Sequence, residues 1–320
     1  MFFSQTLEHL LDSESPFKPS TLYGLSRLEA EEMEQLIAAW PTIPITRRRK
    51  LIRELARIVE TNFEVDYDPI FRWGLQDSDP KARTASVEGL WENEEPALMT
   101  EFLQLVQLDS STPVRAAAAL ALGRFMLLGE LETLPFEFCQ PAYETLCAIV
   151  QDETETLEVR CRALEAVAYI GNQRISTLLQ DAYDDPDDNM RASAIFGMGR
   201  SADDRWIDTV IQELFDPNPH IRYKATRACG ELEARAATSS LAALIGDPDR
   251  EVQESALWAL GKIGGDEARR LLKTCRQEQD EGIRSAAEAA LVELELTYDQ
   301  LDFPFHTLGQ ADDVKLDPLS

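Results

Sequence analysis

The chain has 320 residues and carries 31 lysines and arginines against 58 aspartates and glutamates, a formal net charge of −27. With 44% apolar and 28% charged residues it has the composition of a core-forming protein, and its charge disfavours nucleic-acid or anionic membrane partners. No apolar run is long enough to span a bilayer, and the start MFFSQTLEHLLD lacks the basic leader of a secretion signal, so a cytoplasmic location is predicted.

The first quarter of the chain is predicted to be its least regular part. Residues 1–24 contain SESPFKPS, which is rich in turn formers, and are expected to form a loosely attached arm. Residues 25–75 are expected to form atypical capping helices, with 25–40 and 46–60 as one helical pair and 64–75 as the first helix of the next pair.

The second helix of this first pair carries the strongest basic cluster of the sequence. The cluster consists of Arg47, Arg48, Arg49, Lys50, Arg53 and Arg57. One interpretation is a patch that receives an acidic ligand or a phosphate. The other is that the cluster offsets the acidic stretch 29–34 within the same helical pair.

From residue 76 to 296 the chain repeats itself. An apolar reference residue, followed by arginine in every repeat but one, occurs at Ala82, Val114, Val159, Met190, Ile221, Val252 and Ile283. Successive spacings are 32, 45, 31, 31, 31 and 31 residues, and the 45 contains an insertion at about residues 126–139, expected to enlarge a loop. A fixed period of this size predicts a solenoid.

Columns aligned on the reference residue predict a pair of helices in each repeat. Three positions before it stand residues that can cap a helix N-terminus: Asp79, Ser111, Thr156, Asp187, Asn218, Asp249 and Asp280. Small residues recur four and seven positions after it, where a neighbouring helix can approach closely. Glycines nine positions after it, at Gly123, Gly199, Gly230 and Gly261, are interpreted as left-handed C-caps.

The arginine column needs counter-charges, because a cation at a helix N-terminus opposes the helix dipole. Five positions before the reference residue stand Asp77, Asp109, Thr154, Asp185, Asp216, Asp247 and Glu278. We therefore predict a structural ladder of carboxylates and arginines between successive repeats, with Gln253 and Thr154 as uncharged members.

Two stretches of this pattern resemble a known family. Residues 216–225, Asp-Pro-Asn-Pro-His-Ile-Arg-Tyr-Lys-Ala, with Cys-Gly-Glu-Leu at 229–232, are similar to HEAT repeats of the phycobilisome-lyase type, as are 247–249 and 259–261. The resemblance covers about residues 76–295. It implies an all-α fold, a right-handed α-solenoid or HEAT-like superhelix of about eight helix pairs, which occurs in scaffolds, adaptors and a few enzymes.

A binding face is predicted on the helices that line the concave side of such an array. Positions off the small-residue stripe carry residue types common in interface hot spots: Phe196, Tyr223, Lys224, Arg227, Glu254 and Trp258. The alternative is that Trp258 lies along the neighbouring helix as part of the packing.

No catalytic, metal or cofactor site is predicted. The five cysteines have no CxxC spacing and are interpreted as small core residues in a reducing compartment. The three histidines are far apart. The acidic tail 297–320 contains Phe303 and Phe305, which are candidates for a short peptide anchor.

The predicted function is therefore a non-enzymatic scaffold or adaptor that binds a protein or peptide, with partner and oligomeric state open. One alternative is a phycobilin-lyase-like enzyme or chromophore-handling factor, as the resemblance implies. A second is nucleic-acid binding, as in HEAT-like alkyl-base glycosylases, which the charge of −27 disfavours. Deoxyhypusine hydroxylases depend on paired His-Glu motifs, and this sequence has none.

Overall fold

The computed structural model describes residues 3–12, 16 and 18–301, with side chains as far as residue 296. Regular structure in these residues is helical, without a strand. The α-helices are α1 (Phe3–Leu11), α2 (Ala30–Ala39), α3 (Ile45–Val59), α4 (Asp68–Gly74), α5 (Pro80–Gly89), α6 (Pro96–Leu108), α7 (Thr112–Glu130), α8 (Phe136–Gln151), α9 (Leu157–Val167), α10 (Gln173–Tyr183), α11 (Asp188–Arg200), α12 (Ile207–Glu213), α13 (Pro219–Glu231), α14 (Thr238–Leu244), α15 (Arg250–Ile263), α16 (Gly265–Cys275) and α17 (Glu281–Leu301).

From α2 onward the helices form eight consecutive pairs, as predicted, and the fold is an α-solenoid. The chain divides into two compact units, unit 1 (Met1–Asp203) and unit 2 (Asp204–Ser320). In unit 1 the second helices stack directly on one another in the order α3, α5, α7, α9 and α11. In unit 2 the order is α13, α15 and α17. Each unit buries its apolar stripe between neighbouring pairs, which is how repeats too small to hold a core become stable.

Side-chain caps start most of the second helices, as the cap column predicts. Asp79, Asp249 and Asp280 each accept two amide N–H groups of the first turn. Asp187 and Asn218 each accept one. Ser111 and Thr156 have the right backbone conformation but make no side-chain cap bond. At these last two helices the column predicts the start of the helix but not the means of capping.

The interpretation of the recurring glycines as C-caps is wrong. Gly123, Gly199, Gly230 and Gly261 lie inside helices that continue beyond them, and none has a positive φ angle. At Gly123, Gly230 and Gly261 the absence of a side chain permits close packing against a neighbouring helix. A Cβ atom on Gly261 would lie 2.8 Å from the carbonyl oxygen of Ala290 in α17, and one on Gly123 would lie 3.1 Å from Cα of Ala166 in α9.

The insertion at about 126–139 lengthens helices. The prediction that it enlarges a loop is therefore wrong. Helix α7 runs for 19 residues, the connection is confined to residues 131–135, and α8 then runs for 16 residues. The extension is packed, because the Cys139 thiol is buried and donates to the carbonyl oxygen of Phe125 at 3.2 Å.

The predicted ladder links the loops before the second helices. Arg83 makes two bonds to Asp109 of the next repeat, at 2.7 and 2.8 Å, and a third to the carbonyl oxygen of Asp77 in its own loop. Arg115 repeats this arrangement, with Glu155 as acceptor where Thr154 interrupts the carboxylate column. Arg83 and Arg115 thus each join their own loop to the following one, which holds these helix pairs in register. Arg160 departs from the pattern, because it donates to the carbonyl oxygen of Val150.

The uncharged member of the ladder is compensated by a neighbour. The amide of Gln253 keeps the bond to the carbonyl oxygen of Asp247, at 2.6 Å. The ion pair to the next loop is made by Arg250, which contacts Asp280 at 2.8 Å.

Both ends differ from simple arms. Residues 3–11 form a helix whose Phe3, Thr6 and Leu10 are buried, and the Thr6 hydroxyl donates to the carbonyl oxygen of Thr21 at 3.0 Å. At the other end α17 continues to Leu301, while Phe303 and Phe305 lie outside the described residues. All five cysteines are buried and unpaired, which confirms their assignment to the core.

Candidate protein-interaction site

A groove of about 970 Å³ opens on the second-helix face of unit 1. Its sides come from α5, α7, α9 and α11, together with Glu60 at the end of α3. The groove exists because small residues of α7 face it: Ala116, Ala117, Ala121 and Gly123. Larger side chains at those positions would fill the space between the stacked helices.

Apolar side chains form part of the groove lining. Leu120 of α7 is 37% exposed, and Trp91, just after α5, is 49% exposed. Val87 and Leu127 lie beside them. Exposed apolar groups that line a concave surface are typical of sites that bind another molecule.

The charged residues of the groove are balanced, in contrast to the chain as a whole. The groove is lined by three carboxylates and three guanidinium groups. These belong to Glu60, Glu88, Glu158, Arg124, Arg162 and Arg200. The protein as a whole has a net charge of −27. Arginines are therefore concentrated here relative to the rest of the chain.

Two of these arginines are fixed by the same buried glutamate. Arg162 donates to the Glu165 carboxylate at 2.6 Å, and Glu165, only 1% exposed, also accepts from the Ser193 hydroxyl at 3.0 Å. Arg200 donates to the backbone carbonyl oxygen of Glu165 at 2.8 Å. Its guanidinium lies 4.9 Å from the ring centre of Tyr169 and 4.4 Å from that of Phe196. The arginines are therefore held in place before any ligand arrives.

The opposite side of the groove is acidic. Partial burial raises the pKa of Glu88, and the nearby carboxylate of Glu60 acts in the same direction, while Arg53 opposes them. Burial disfavours the charged form of a carboxylate, and a like charge adds to that effect. A further cation beside Glu88 would stabilise its charged form, as Arg53 does.

The six residues predicted to form the binding face are divided between the two units. Phe196 lies in unit 1, where it contacts Arg200. In unit 2 the guanidinium of Arg227 lies 3.4 Å from the ring centre of Trp258, with the Lys262 amine at 5.9 Å.

Trp258 also packs on a neighbour, because a Cβ atom on Gly230 would collide with its ring. Lys224 is buried, Tyr223 is half-buried, and Glu254 pairs with Arg250 at 2.8 Å. The structure therefore joins Arg227 and Trp258 into one stacked pair. It places Trp258 along the neighbouring helix, as the packing alternative has it.

The basic cluster on α3 is spread around the helix. Arg48 contacts Asp77 at 2.5 Å, Arg49 contacts Asp79 with two nitrogens, and Arg57 contacts Glu54 at 3.0 Å. For these three arginines the carboxylate partners are not in the acidic stretch 29–34.

The other members of the cluster point elsewhere. Arg47 donates to the carbonyl oxygen of His9 at 2.6 Å, Arg53 lies near Glu88, and Lys50 is exposed. Lys50, Arg53 and Arg57 are thus the exposed members of the cluster, at spacings of three and four residues along α3.

The residues on the basic side of the groove are absent from the sequence prediction. Arg124, Tyr169 and Arg200 occupy the tenth position after the reference residue in three consecutive repeats. The same alignment that locates the ladder contains this column. The predicted binding residues lie mainly two and six positions after the reference residue. The column at the tenth position, one helical turn further on, could have been recognised because it carries large polar or aromatic side chains in three consecutive repeats.

The described part of the chain lacks two other kinds of feature, a metal-binding cluster and a helix able to span a membrane. Among its side chains no group of three or more histidines, cysteines, aspartates or glutamates is placed to hold a metal ion. Of the helices described, none is long and apolar enough to cross a membrane.

Comparisons with known proteins identify the repeat type. Residues 207–292 match a family model described as HEAT repeats, which supports a HEAT-repeat protein. None of the curated proteins matches the chain at a significant level.

Among solved structures, E. coli YibA is 16% identical over 89% of this chain and 99% of its own, with a TM-score of 0.42. Human deoxyhypusine hydroxylase in complex with glycerol is 18% identical over 92% and 96%, with a TM-score of 0.34. A designed armadillo repeat protein in complex with the peptide (KR)4 is 18% identical over 63% and 100%, with a TM-score of 0.38.

Proposed function

We propose that this HEAT-repeat protein is a non-enzymatic interaction module that holds an extended segment of a partner protein in the groove of unit 1. The single observation that carries the proposal is the groove itself, which is lined by the exposed Leu120 and Trp91 and by charged side chains of both signs. The half-buried Arg227–Trp258 pair of unit 2, with the other predicted residues of that face, is proposed as a second contact surface.

The groove supports a binding role because its polar groups are already oriented. The bonds that Glu165 makes to Arg162 and Arg200 restrict both side chains, so little further conformational entropy is lost when a ligand is bound. A linear array of stacked second helices also presents a long surface, which suits an extended chain better than a compact small molecule.

The proposal places the protein in the cytoplasm, since five unpaired cysteines are typical of a reducing compartment. It uses only the general HEAT type of the repeats. The phycobilisome-lyase type of the sequence resemblance, and the chromophore chemistry that this type implies, enter none of its steps.

Site-specific photo-crosslinking tests the proposal. The photoreactive residue p-benzoylphenylalanine is placed at position 120 in the groove and, as a matched control, at the exposed position 104 on α6 of the same unit. We expect position 120 to capture a partner protein in extracts of the source cells, and position 104 to capture none.

A second variant, Leu120→Glu, should abolish the capture of the same partner by otherwise wild-type protein. It should leave the thermal unfolding temperature nearly unchanged, because Leu120 is partly exposed. Equal capture from both positions, or capture that survives Leu120→Glu, would show that the groove is not the binding site.

A further inference from the structure

Four of the six charged side chains that line the groove are ordered by sign along the stack of helices. Glu60 follows α3 and Glu88 is on α5, whereas Arg162 is on α9 and Arg200 on α11. Leu120, on the intervening α7, lies between the two ends. Two charged residues depart from this order: Arg124 is on α7, and Glu158 is on α9, one turn before Arg162. The groove therefore carries carboxylates at its α3–α5 end, an exposed leucine on α7, and an excess of arginines from α7 to α11.

The distance between the two ends is set by helix packing. Axes of packed helices lie about 8–10 Å apart, so α5 and α9, with α7 between them, are separated by roughly 16–20 Å. An extended chain advances about 3.3 Å per residue. About six residues of an extended peptide therefore reach from Glu88 to Arg162.

We propose that the groove selects an extended segment with a basic residue and an acidic residue about six positions apart and an apolar side chain midway between them. The basic residue is lysine or arginine, and the acidic residue is aspartate or glutamate. This proposal rests on the proposed function. The basic side chain contacts Glu60 and Glu88, the apolar side chain packs on Leu120 and Trp91, and the acidic side chain contacts Arg162.

Each end has the chemistry that this segment requires. At the acidic end, the raised pKa of Glu88 arises from partial burial and from the like charge of Glu60, so an incoming cation is favoured there. At the basic end, Arg162 has one nitrogen bonded to Glu165, and its side chain is 42% exposed. A guanidinium has five N–H donors, so it can also bind the carboxylate of a ligand.

Charge alone would predict a different ligand. A protein with a net charge of −27 attracts any basic peptide, without regard to spacing. A basic peptide in the groove would place cations against Arg162 and Arg200, and an acidic one would place carboxylates against Glu60 and Glu88. The mixed segment avoids both repulsions, so spacing rather than net charge decides recognition.

Fluorescence anisotropy with defined peptides and the full-length protein tests this proposal. The probe is a labelled, end-blocked heptapeptide, Lys-Ser-Gly-Leu-Ser-Gly-Glu, together with the reversed sequence, because either chain direction satisfies the spacing. The comparison peptide has the same composition with lysine and glutamate adjacent. We expect at least one of the two spaced peptides to bind at least tenfold more tightly than the comparison peptide.

A charge exchange then locates the two ends. The variant Glu88→Lys should lose at least tenfold in affinity for the spaced peptide and regain it when the peptide lysine is replaced by glutamate. The control Glu137→Lys carries the same charge change on the exposed surface of α8, in the same unit. It should bind like wild type. The exchange is made at Glu88 rather than at Arg162, because Arg162 is bonded to the buried Glu165.

Equal affinity for the spaced and adjacent peptides, or equal losses in Glu88→Lys and Glu137→Lys, would overturn the charge-spacing proposal. If position 120 still captures a partner in that case, the proposed function survives and only the recognition rule fails. If the peptides do not bind and position 120 captures nothing, both proposals fail.

Discussion

The ladder between repeats provides the sharpest test of how the solenoid is held together. In unit 2, Arg222 donates two bonds to the carboxylate of Asp247, at 2.8 and 2.7 Å, and a third to the backbone carbonyl oxygen of Asp216 at 2.9 Å. The side chains of Arg222 and Asp247 are only 12% and 4% exposed. The chain itself contains a natural counterpart of the substitution Arg222→Gln, because Gln253 keeps the corresponding backbone bond in the next repeat.

The expected loss follows from these contacts. Removing one partner of a buried ion pair costs about 3–5 kcal/mol, because the remaining charge stays buried without compensation. Asp247 keeps one bond, from the amide of Asp249 at 2.8 Å, and glutamine retains the backbone bond, so we expect about 2–4 kcal/mol for Arg222→Gln. With a urea m-value of about 1.5 kcal/mol/M, the unfolding midpoint falls by roughly 2 M.

The matched control is Arg250→Gln, which removes the exposed ion pair to Asp280 in the same unit. The side chains of Arg250 and Asp280 are 43% and 53% exposed. Surface ion pairs contribute little to the free energy of unfolding, so the urea midpoint of Arg250→Gln should stay close to that of wild type.

Urea unfolding followed by circular dichroism measures both variants. Hydrogen exchange of the amides in α13 and α15 shows whether the loss is local to the ladder. If Arg222→Gln unfolds at the same urea concentration as Arg250→Gln, the buried ladder does not stabilise the stack, and the reasoning from burial is wrong.

Four further outcomes are expected. Gly261→Ala should destabilise unit 2 by about 1–3 kcal/mol, because the added Cβ would lie 2.8 Å from a backbone oxygen of α17. This loss is expected even though alanine favours helices. The control Gly246→Ala should leave the urea midpoint unchanged. Trp258→Ala should cost about 1.5–3 kcal/mol, because the half-buried ring packs on the next helix; a variant as stable as wild type would contradict that packing. The hydrogen bond from Arg222 lowers the pKa of Asp247 below its value in the unfolded chain. The stabilisation by this ion pair is therefore complete at neutral pH and declines as the pH falls below about 4. Urea midpoints at pH 7, 4 and 3 should show this decline, and equal midpoints would refute it. Burial raises the pKa of Cys229 to about 12, and all five thiols are buried, so a disulfide reagent at pH 8 should label none in native protein and five in urea.

Much of the fold could be predicted because repetition turns one sequence into seven aligned observations. A single aspartate before an apolar residue is weak evidence for a helix start, whereas seven capping residues in one column, five of which make the bond, are strong evidence. The ladder was predictable for the same reason. Arginines and carboxylates at constant spacing have few arrangements that satisfy every charge.

The incorrect C-cap prediction has a simple physical origin. A glycine near the end of a helical pattern is compatible with a left-handed cap and with close packing against another helix, and only the position of that other helix distinguishes them. Gly261 faces the backbone of α17, whereas a positive φ angle is found at Gly264, just after α15. The pattern within one helix carries no information about the distance to the next helix.

The candidate site, like the glycines, depends both on the local sequence pattern and on packing between helices. The sequence by itself determined where the helices begin, which stripe is buried, and which columns face away from the core, because these depend on residue spacing along one chain. Whether an outward-facing side chain is available to a ligand depends on its neighbour in the stack. The small Gly230 lets Trp258 lie flat beside Arg227, while small residues of α7 leave a groove open in front of Leu120. Only the tertiary structure decided this, because it alone places side chains from different repeats side by side.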